Sequence, residues 1–183
     1  MGDYMEENIE ETSGLVEITG GLSTLNRLKE YFKRIFKSLS HEVVILIDGP
    51  NMLRKIDGKR LSLKDVIRKA KNYGRIRAAK AIVTSDAPTS LIKALQTSGF
   101  EVILTQENIT YVTLAIEAAR MIYECSPDFF VIVSRDSRCL PIVHKIKEKG
   151  IKAIIAGYEQ GFSTALKNAS DEVIYLELTE AEE

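Results

Sequence analysis

Acidic and amide side chains follow two apolar, strand-like runs of this sequence. Asp48 and Asn51 follow the run at residues 43–47, and Asp136 follows a second run at residues 129–134. In an open parallel sheet, ligands bind outside the carboxyl ends of the strands, near the point where the strand order reverses. If the first and fourth strands are neighbours, Asp48 and Asp136 face each other across one crevice. Two carboxylates at such a short distance repel each other. A hard cation such as Mg²⁺ or Mn²⁺ bound between them removes this repulsion.

Glu117 is a third candidate, because it lies within a predicted helix among apolar neighbours and should point at a polar feature. Asp48, Glu117 and Asp136 are therefore the candidate catalytic residues and metal ligands. Other polar residues near the two strand ends are candidates for binding a substrate or orienting a ligand. They are Asn51, Arg54, Lys55, Ser134, Arg135, Ser137 and Arg138.

Each of these residues also has a purely structural interpretation. Asp48 precedes Gly-Pro and is suited to forming a turn, and Asn51 is suited to capping the segment that follows. Asp136 can be the N-cap of the next helix. Glu117 can be an ordinary solvated helix residue. The pair at two strand ends is more specific than either carboxylate alone.

Several other chemistries lack their motifs. There is no GxGxxG after the first strand and no GxxxxGK[ST], so we expect no nucleotide cofactor. The two cysteines, Cys125 and Cys139, form no CxxC, so neither a zinc site nor a disulfide framework is predicted and a cytoplasmic location is the default. The apolar runs are strand-sized, which predicts no membrane span.

The net charge of −1 conceals a basic segment. Residues 54–80 contain eleven lysines and arginines but only two aspartates. A strongly positive segment in a neutral protein favours a polyanionic partner such as RNA. The structural alternative is a solvated, lysine-rich helix face.

Apolar periodicity predicts alternating strands and helices. The predicted strands are residues 42–47, 78–84, 100–104, 129–134, 151–156 and 172–176. The predicted helices are residues 61–73, 88–98, 111–124, 138–149 and 162–169. This alternation indicates an α/β, Rossmann-like three-layer sandwich with a mostly parallel central sheet.

The ends of the chain differ from this domain. We predict a flexible acidic tail at residues 1–22, an amphipathic helix within residues 23–40, the domain itself at residues 41–178, and an acidic tail at residues 179–183. Apolar residues recur at helical spacing over residues 23–37, with basic residues between them. Such a helix packs on the domain or on a second subunit of a homodimer. The alternative is a basic amphipathic helix on a membrane or nucleic acid.

Taken together and in order, these motifs resemble the NYN domains, a branch of the PIN-like ribonuclease superfamily, and specifically an archaeal-type subgroup. The matching segments are Val-Val-Ile-Leu-Ile-Asp48-Gly-Pro-Asn51, Tyr-Val-Thr-Leu-Ala-Ile-Glu117-Ala, Val-Ile-Val-Ser-Arg-Asp136-Ser-Arg-Cys-Leu-Pro, Gly157-Tyr-Glu-Gln-Gly161-Phe-Ser and Ala169-Ser-Asp171-Glu-Val-Ile-Tyr-Leu. The resemblance implies a PIN-like fold, Mg²⁺ or Mn²⁺ in an acidic crevice, and cleavage of RNA by a metal-activated water.

The chain departs from the pattern of that family at two positions. Tyr111 and Arg138 stand where the family usually carries aspartates. Losing two carboxylates and gaining a guanidinium should weaken metal binding, and Arg138 can take the place of the metal by pairing with Asp48 or Asp136, or can clamp a phosphate.

Three functions therefore remain open. The first is a metal-dependent ribonuclease, and the second is a catalytically degenerate RNA-binding or assembly module on the same fold. The third is a self-associating scaffold that uses the helix at residues 23–37.

Overall fold

A computed structural model describes residues 41–56 and 58–180. Its centre is a six-stranded, wholly parallel sheet in the order β4-β3-β1-β5-β6-β7, and β2 and β8 form a separate antiparallel pair. The strands are β1 Glu42–Asp48, β2 Lys59–Leu61, β3 Arg75–Thr84, β4 Glu101–Thr105, β5 Phe129–Val133, β6 Lys152–Gly157, β7 Glu172–Tyr175 and β8 Leu178–Glu180.

Six α-helices connect these strands. They are α1 Gly49–Met52, α2 Leu63–Ala70, α3 Thr89–Thr97, α4 Thr110–Arg120, α5 Leu140–Glu148 and α6 Thr164–Ala169. Side chains of α1, α2 and α3 join the apolar core on one face of the sheet, whereas those of α4, α5 and α6 join the core on the other face. The α/β three-layer prediction is therefore confirmed.

Strand β1 lies at the centre of the sheet because both of its faces are apolar. Residues 43–47 are completely buried, and they alternate between the two cores. A strand that is covered by helices on both faces needs such a continuous apolar run. The register places Ile47 beside Ala81 of β3 and beside Val133 of β5, so the ends of these three strands lie at one edge of the sheet.

The element boundaries differ from the predictions in a few places. Helix α2 begins at Leu63 and not at residue 61, because the Ser62 side chain accepts a hydrogen bond from the backbone of Asp65 and caps the helix. The β2–β8 pair was not predicted, and β8 runs two residues beyond the predicted domain end. The helix predicted for residues 111–124 is α-helical only to Arg120 and ends in a π-helical turn, Met121–Cys125.

The predictions for the N-terminal region lie outside the described residues. This applies to the acidic tail at residues 1–22 and to the amphipathic helix within residues 23–40. Over the part of the chain that the structure describes, no helix is both long enough and apolar enough to cross a bilayer.

Two substitutions on α4 test how far the core stabilises the domain. Leu114 is fully buried against the sheet, so Leu114→Ala should lower the free energy of unfolding by about 2–5 kcal/mol. Ile116 lies on the same helix but is 55% exposed, so Ile116→Ala should cost less than about 1 kcal/mol. Urea denaturation measures both, and equal losses would contradict this assignment of the core.

Candidate functional site

The candidate site lies where the strand order reverses. From β1 the chain proceeds to β3 and β4 on one side, and it then returns to β5, β6 and β7 on the other side. Because β1 and β5 are hydrogen-bonded neighbours, the residues that follow them meet at one edge. The first and fourth predicted strands are therefore adjacent, which is the condition for a crevice between Asp48 and Asp136.

Asp48 is fully buried at the end of β1. Ser134 Oγ donates a hydrogen bond to Asp48 Oδ2 (2.9 Å), and the backbone amide of Asn51 donates to Asp48 Oδ1 (3.4 Å), so Asp48 is also the N-cap of α1. Burial raises the pKa of Asp48, although the hydrogen bonds from Ser134 and Asn51 act in the opposite direction. Asp48 is therefore a buried acid that is costly to ionise.

Asp136 lies next to Asp48 through Ser134, whose hydroxyl accepts a hydrogen bond from the backbone of Asp136 (3.2 Å). Unlike Asp48, Asp136 is surrounded by donors. Arg138 Nε lies 3.0 Å from both carboxylate oxygens, Arg138 Nη2 lies 2.5 Å from Oδ2, and the Arg138 amide donates to Oδ1 (2.9 Å). These contacts with Arg138 lower the pKa of Asp136 to about 2. Asp136 also caps the short 3₁₀ turn at Ser137–Cys139.

Tyr111 completes this cluster from helix α4. Its hydroxyl donates to Asp136 Oδ2 (3.0 Å), and the guanidinium carbon of Arg138 lies 4.0 Å from the centre of its ring. Burial and the neighbouring carboxylates raise the pKa of Tyr111, so the phenol stays neutral and acts as a donor. Tyr111 and Arg138, the two residues that depart from the family pattern, therefore both bind the carboxylate of Asp136.

Glu117 lies away from this cluster. Lys80 Nζ donates to Glu117 Oε2 (2.8 Å), and Arg120 donates to Oε1 (3.0 Å). Although burial acts in the opposite direction, these two cations lower the pKa of Glu117. Lys80 pairs with Leu46 in the middle of the sheet, two residues before the row that contains Asp48. Glu117 thus does point at a polar feature, but the feature is an ion-pair network within the domain.

The donor set does not suit a hard divalent cation. Mg²⁺ and Mn²⁺ need several oxygen ligands converging on one point. Both oxygens of Asp136 are engaged by Arg138, and one of them also by Tyr111. Across the described residues, no three carboxylate, histidine or cysteine side chains are grouped so that they could hold a metal ion.

Asn51 and Arg135 hold two loops together. The backbone amide of Arg135 donates to Asn51 Oδ1 (3.0 Å). The Arg135 guanidinium donates to the carbonyl oxygens of Gln160 and Asn51, and it stacks on the ring of Tyr158, 3.7 Å from its centre. A Cβ atom at Gly157 would come within 2.8 Å of the Arg135 side chain, so a glycine is needed there. The role of Tyr158 was missed, although the Gly157–Gly161 motif was a signal for it.

Of the remaining predicted residues, Arg54 lines a cleft beside the cluster. A cleft of about 280 Å³ opens beside the cluster, and its walls include Asn51, Arg54, Tyr111 and Arg138. Arg54 is exposed, as are Lys55 and Ser137, whereas Ser134 is fully buried. The site therefore combines a cluster in which charges are paired with a cleft lined by Arg54, Arg138 and Glu107.

The basic segment at residues 54–80 does not form one face. Arg75 and Arg77 both pair with Glu42 at the amino ends of the strands. Arg68 and Lys69 of α2 pair with the buried carboxylate of Asp65. Of this segment, only Arg54 lines the cleft beside Arg138, as far as the described residues show.

Comparison with known proteins agrees with this architecture. Residues 42–177 match the NYN domain family. An uncharacterised protein of the archaeon Methanocaldococcus jannaschii is 35% identical over 146 residues, which cover 80% of this chain and 60% of that protein, so the chain spans less than two thirds of its relative. A crystal structure of a protein of unknown function from Vibrio parahaemolyticus has the same fold, with a TM-score of 0.65 and 18% identity over 74% of this chain and 96% of that one.

The opposite pKa shifts of the two aspartates predict opposite effects of amidation. Because the folded-state pKa of Asp48 is raised, the folded state favours the neutral acid, and that stability is lost as the pH rises through the folded-state pKa. Asp48→Asn should therefore raise the free energy of unfolding and the melting temperature at pH 7, with little effect below pH 4.

Asp136→Asn is the matched control. Its folded-state pKa is lowered, so its stabilisation is present above the unfolded-state pKa and is lost as the pH falls towards 2. This variant should be destabilised at pH 7, with a penalty that shrinks in acid. Thermal melts from pH 3 to pH 8 measure both effects, and a destabilised Asp48→Asn at pH 7 would contradict the assignment.

Proposed function

Because the chain belongs to the NYN domain family and has the PIN-like nuclease fold, we propose that it binds RNA at the notch formed by Asp48, Asp136 and Arg138. In this proposal a guanidinium takes the position of the metal, and the RNA is bound without being cut. The contact between Arg138 and Asp136 is the observation that carries the proposal.

The exposed part of the cluster suits a phosphate. The Arg138 side chain is 65% exposed, and it borders the 280 Å³ cleft together with Arg54, which is 70% exposed. A guanidinium has five N–H donors, so Arg138 can bind Asp136 through one edge and a phosphate oxygen through another. Contacts of this kind give affinity for the RNA backbone without reading its sequence.

Hydrolysis has weaker support. Metal-activated water requires a cation held by several oxygens, and Asp136 already has a counter-ion in Arg138. Glu117 is compensated by Lys80 and Arg120 and offers no free carboxylate to the notch. A chain with this site should therefore bind a phosphodiester with or without divalent metal.

The second candidate is a metal-dependent ribonuclease. One observation favours it: Asp48 remains at the end of β1, hydrogen-bonded to Ser134 and close to Asp136. For this activity, the exposed Arg138 side chain would have to withdraw and free both oxygens of Asp136 for Mg²⁺ or Mn²⁺. The two candidates differ in their response to a chelator.

RNA binding is tested by fluorescence anisotropy with a labelled single-stranded RNA. The wild-type chain should bind equally well in Mn²⁺ and in EDTA and leave the RNA intact. Arg138→Gln should weaken binding about fivefold and reduce the slope of log K against log salt by about one. Arg75→Gln removes an exposed arginine that is also paired with a carboxylate, but at the opposite edge of the sheet, and should change neither quantity. RNA that is cut in Mn²⁺ but not in EDTA would favour the ribonuclease instead.

Restoring carboxylates should restore a metal site. The double variant Tyr111→Asp, Arg138→Asp removes the guanidinium and places two acids beside Asp48 and Asp136. Calorimetry should detect Mn²⁺ binding to this variant and none to the wild-type chain. Adding Asp48→Asn to the double variant should abolish the signal, which controls for binding elsewhere. Strong Mn²⁺ binding by the wild-type chain at this site would contradict the proposal.

A further inference from the structure

A second cleft adjoins the notch on the other side of α1. Its volume is about 350 Å³, and it is bounded by the chain that follows α1, by β2, and by the turn from β3 into α3. Pro50 and Arg54 line both this cleft and the one beside Arg138, so the two clefts are adjacent. We call it the α1–α3 cleft.

One wall of the α1–α3 cleft is lined by three cations, two of which have no ion-pair partner among the described residues. Arg54, Lys55 and Arg60 all line it. Among the described residues, Arg54 contacts Glu107 (3.4 Å) and its charge also acts on Asp86, whereas neither Lys55 nor Arg60 forms an ion pair. Arg60 Nε is also buried without a hydrogen-bond partner. Such a wall is incomplete without an anion, and a phosphate group supplies both charge and acceptors.

The lining from the end of β3 to the start of α3 is largely apolar, with Thr84 and Asp86 as its polar members. Val83, Ala87, Pro88 and Leu91 contribute to it from the end of β3 and the start of α3. A cleft with cations on one side and apolar groups on the other suits a ligand that has a phosphate and a flat aromatic face. A nucleotide has both, and 350 Å³ lies within the size range of small-ligand pockets.

The carboxylate of Asp86 can select which nucleotide base binds in the α1–α3 cleft. Among the described residues it contributes the one carboxylate of this cleft. A hydrogen bond from Thr84 lowers the pKa of Asp86, so it is an ionised acceptor at neutral pH. Unpaired bases are read on their Watson–Crick edges. Guanine alone has two adjacent N–H groups on that edge, and these match the two oxygens of a carboxylate.

We infer that the α1–α3 cleft binds one guanine nucleotide of the RNA whose backbone passes Arg138. Its phosphate contacts Arg54 and Arg60, its base lies on the apolar wall, and Asp86 accepts from N1–H and the exocyclic amine. This inference rests on the proposed RNA binding, to which it adds a base preference.

Base preference is measured by anisotropy with two labelled hexamers in EDTA, one all uridine and one with a single central guanosine. The wild-type chain should bind the guanosine hexamer about tenfold more tightly. Asp86→Asn should abolish this preference, because an amide has only one acceptor oxygen. Glu107→Gln removes a carboxylate that lines the neighbouring cleft and should retain the preference.

The phosphate contact is tested in the same assay. Arg60→Gln should weaken binding of both hexamers about fivefold and lower the salt slope by about one, whereas Lys59→Gln, an adjacent exposed cation that does not line the cleft, should have little effect. Equal affinity of the wild-type chain for both hexamers, or a preference that survives Asp86→Asn, would overturn this inference and leave the proposed RNA binding intact. Failure of the wild-type chain to bind either hexamer would overturn both.

Discussion

Two carboxylates that lie close together at the carboxyl ends of buried strands require a counter-ion. The counter-ion that this chain supplies determines the arrangement of the candidate site. Asp48 and Asp136 are joined through Ser134, and they cannot both ionise at low cost in isolation. Arg138 provides the positive charge, and its guanidinium packs over the aromatic ring of Tyr111. Arg138 lowers the pKa of Asp136, whereas burial is the largest effect on Asp48 and raises its pKa, so the two pKa values move in opposite directions.

The sheet could be predicted from the sequence to the extent that apolar pattern determines burial. The run at residues 43–47 is apolar at every position, so it must be covered on both faces, and a central position follows. The pair formed by β2 and β8 could not be predicted in this way. Each strand has only three residues, and their sequences, Lys-Arg-Leu and Leu-Thr-Glu, contain no apolar run. The pairing therefore depends on how the larger elements place these two segments next to each other.

The site was only partly predictable, because side chains that are distant in sequence compete for the same partner. The pairing of Arg138 with Asp136 was one of the alternatives that the departures from the family pattern raised. Glu117 was expected at the crevice, but its partner Lys80 is fixed by the register of β3 against β1, which no local pattern reveals. Arg135 is a residue type that often contacts RNA. In this structure, however, its guanidinium stacks on Tyr158 and donates to two carbonyl oxygens.

The basic segment shows why charge counted along a sequence differs from charge presented by a surface. At the amino ends of the strands, Arg75 and Arg77 share Glu42, so that part of the segment contributes little field. At the carboxyl ends, Lys55 and Arg60 have no acidic partner among the described residues, and they line the α1–α3 cleft, which shares Pro50 and Arg54 with the cleft beside the notch. The fold thus places these two cations, unpaired among the described residues, near the carboxyl ends of the strands, where a ligand of a parallel α/β domain is expected to bind.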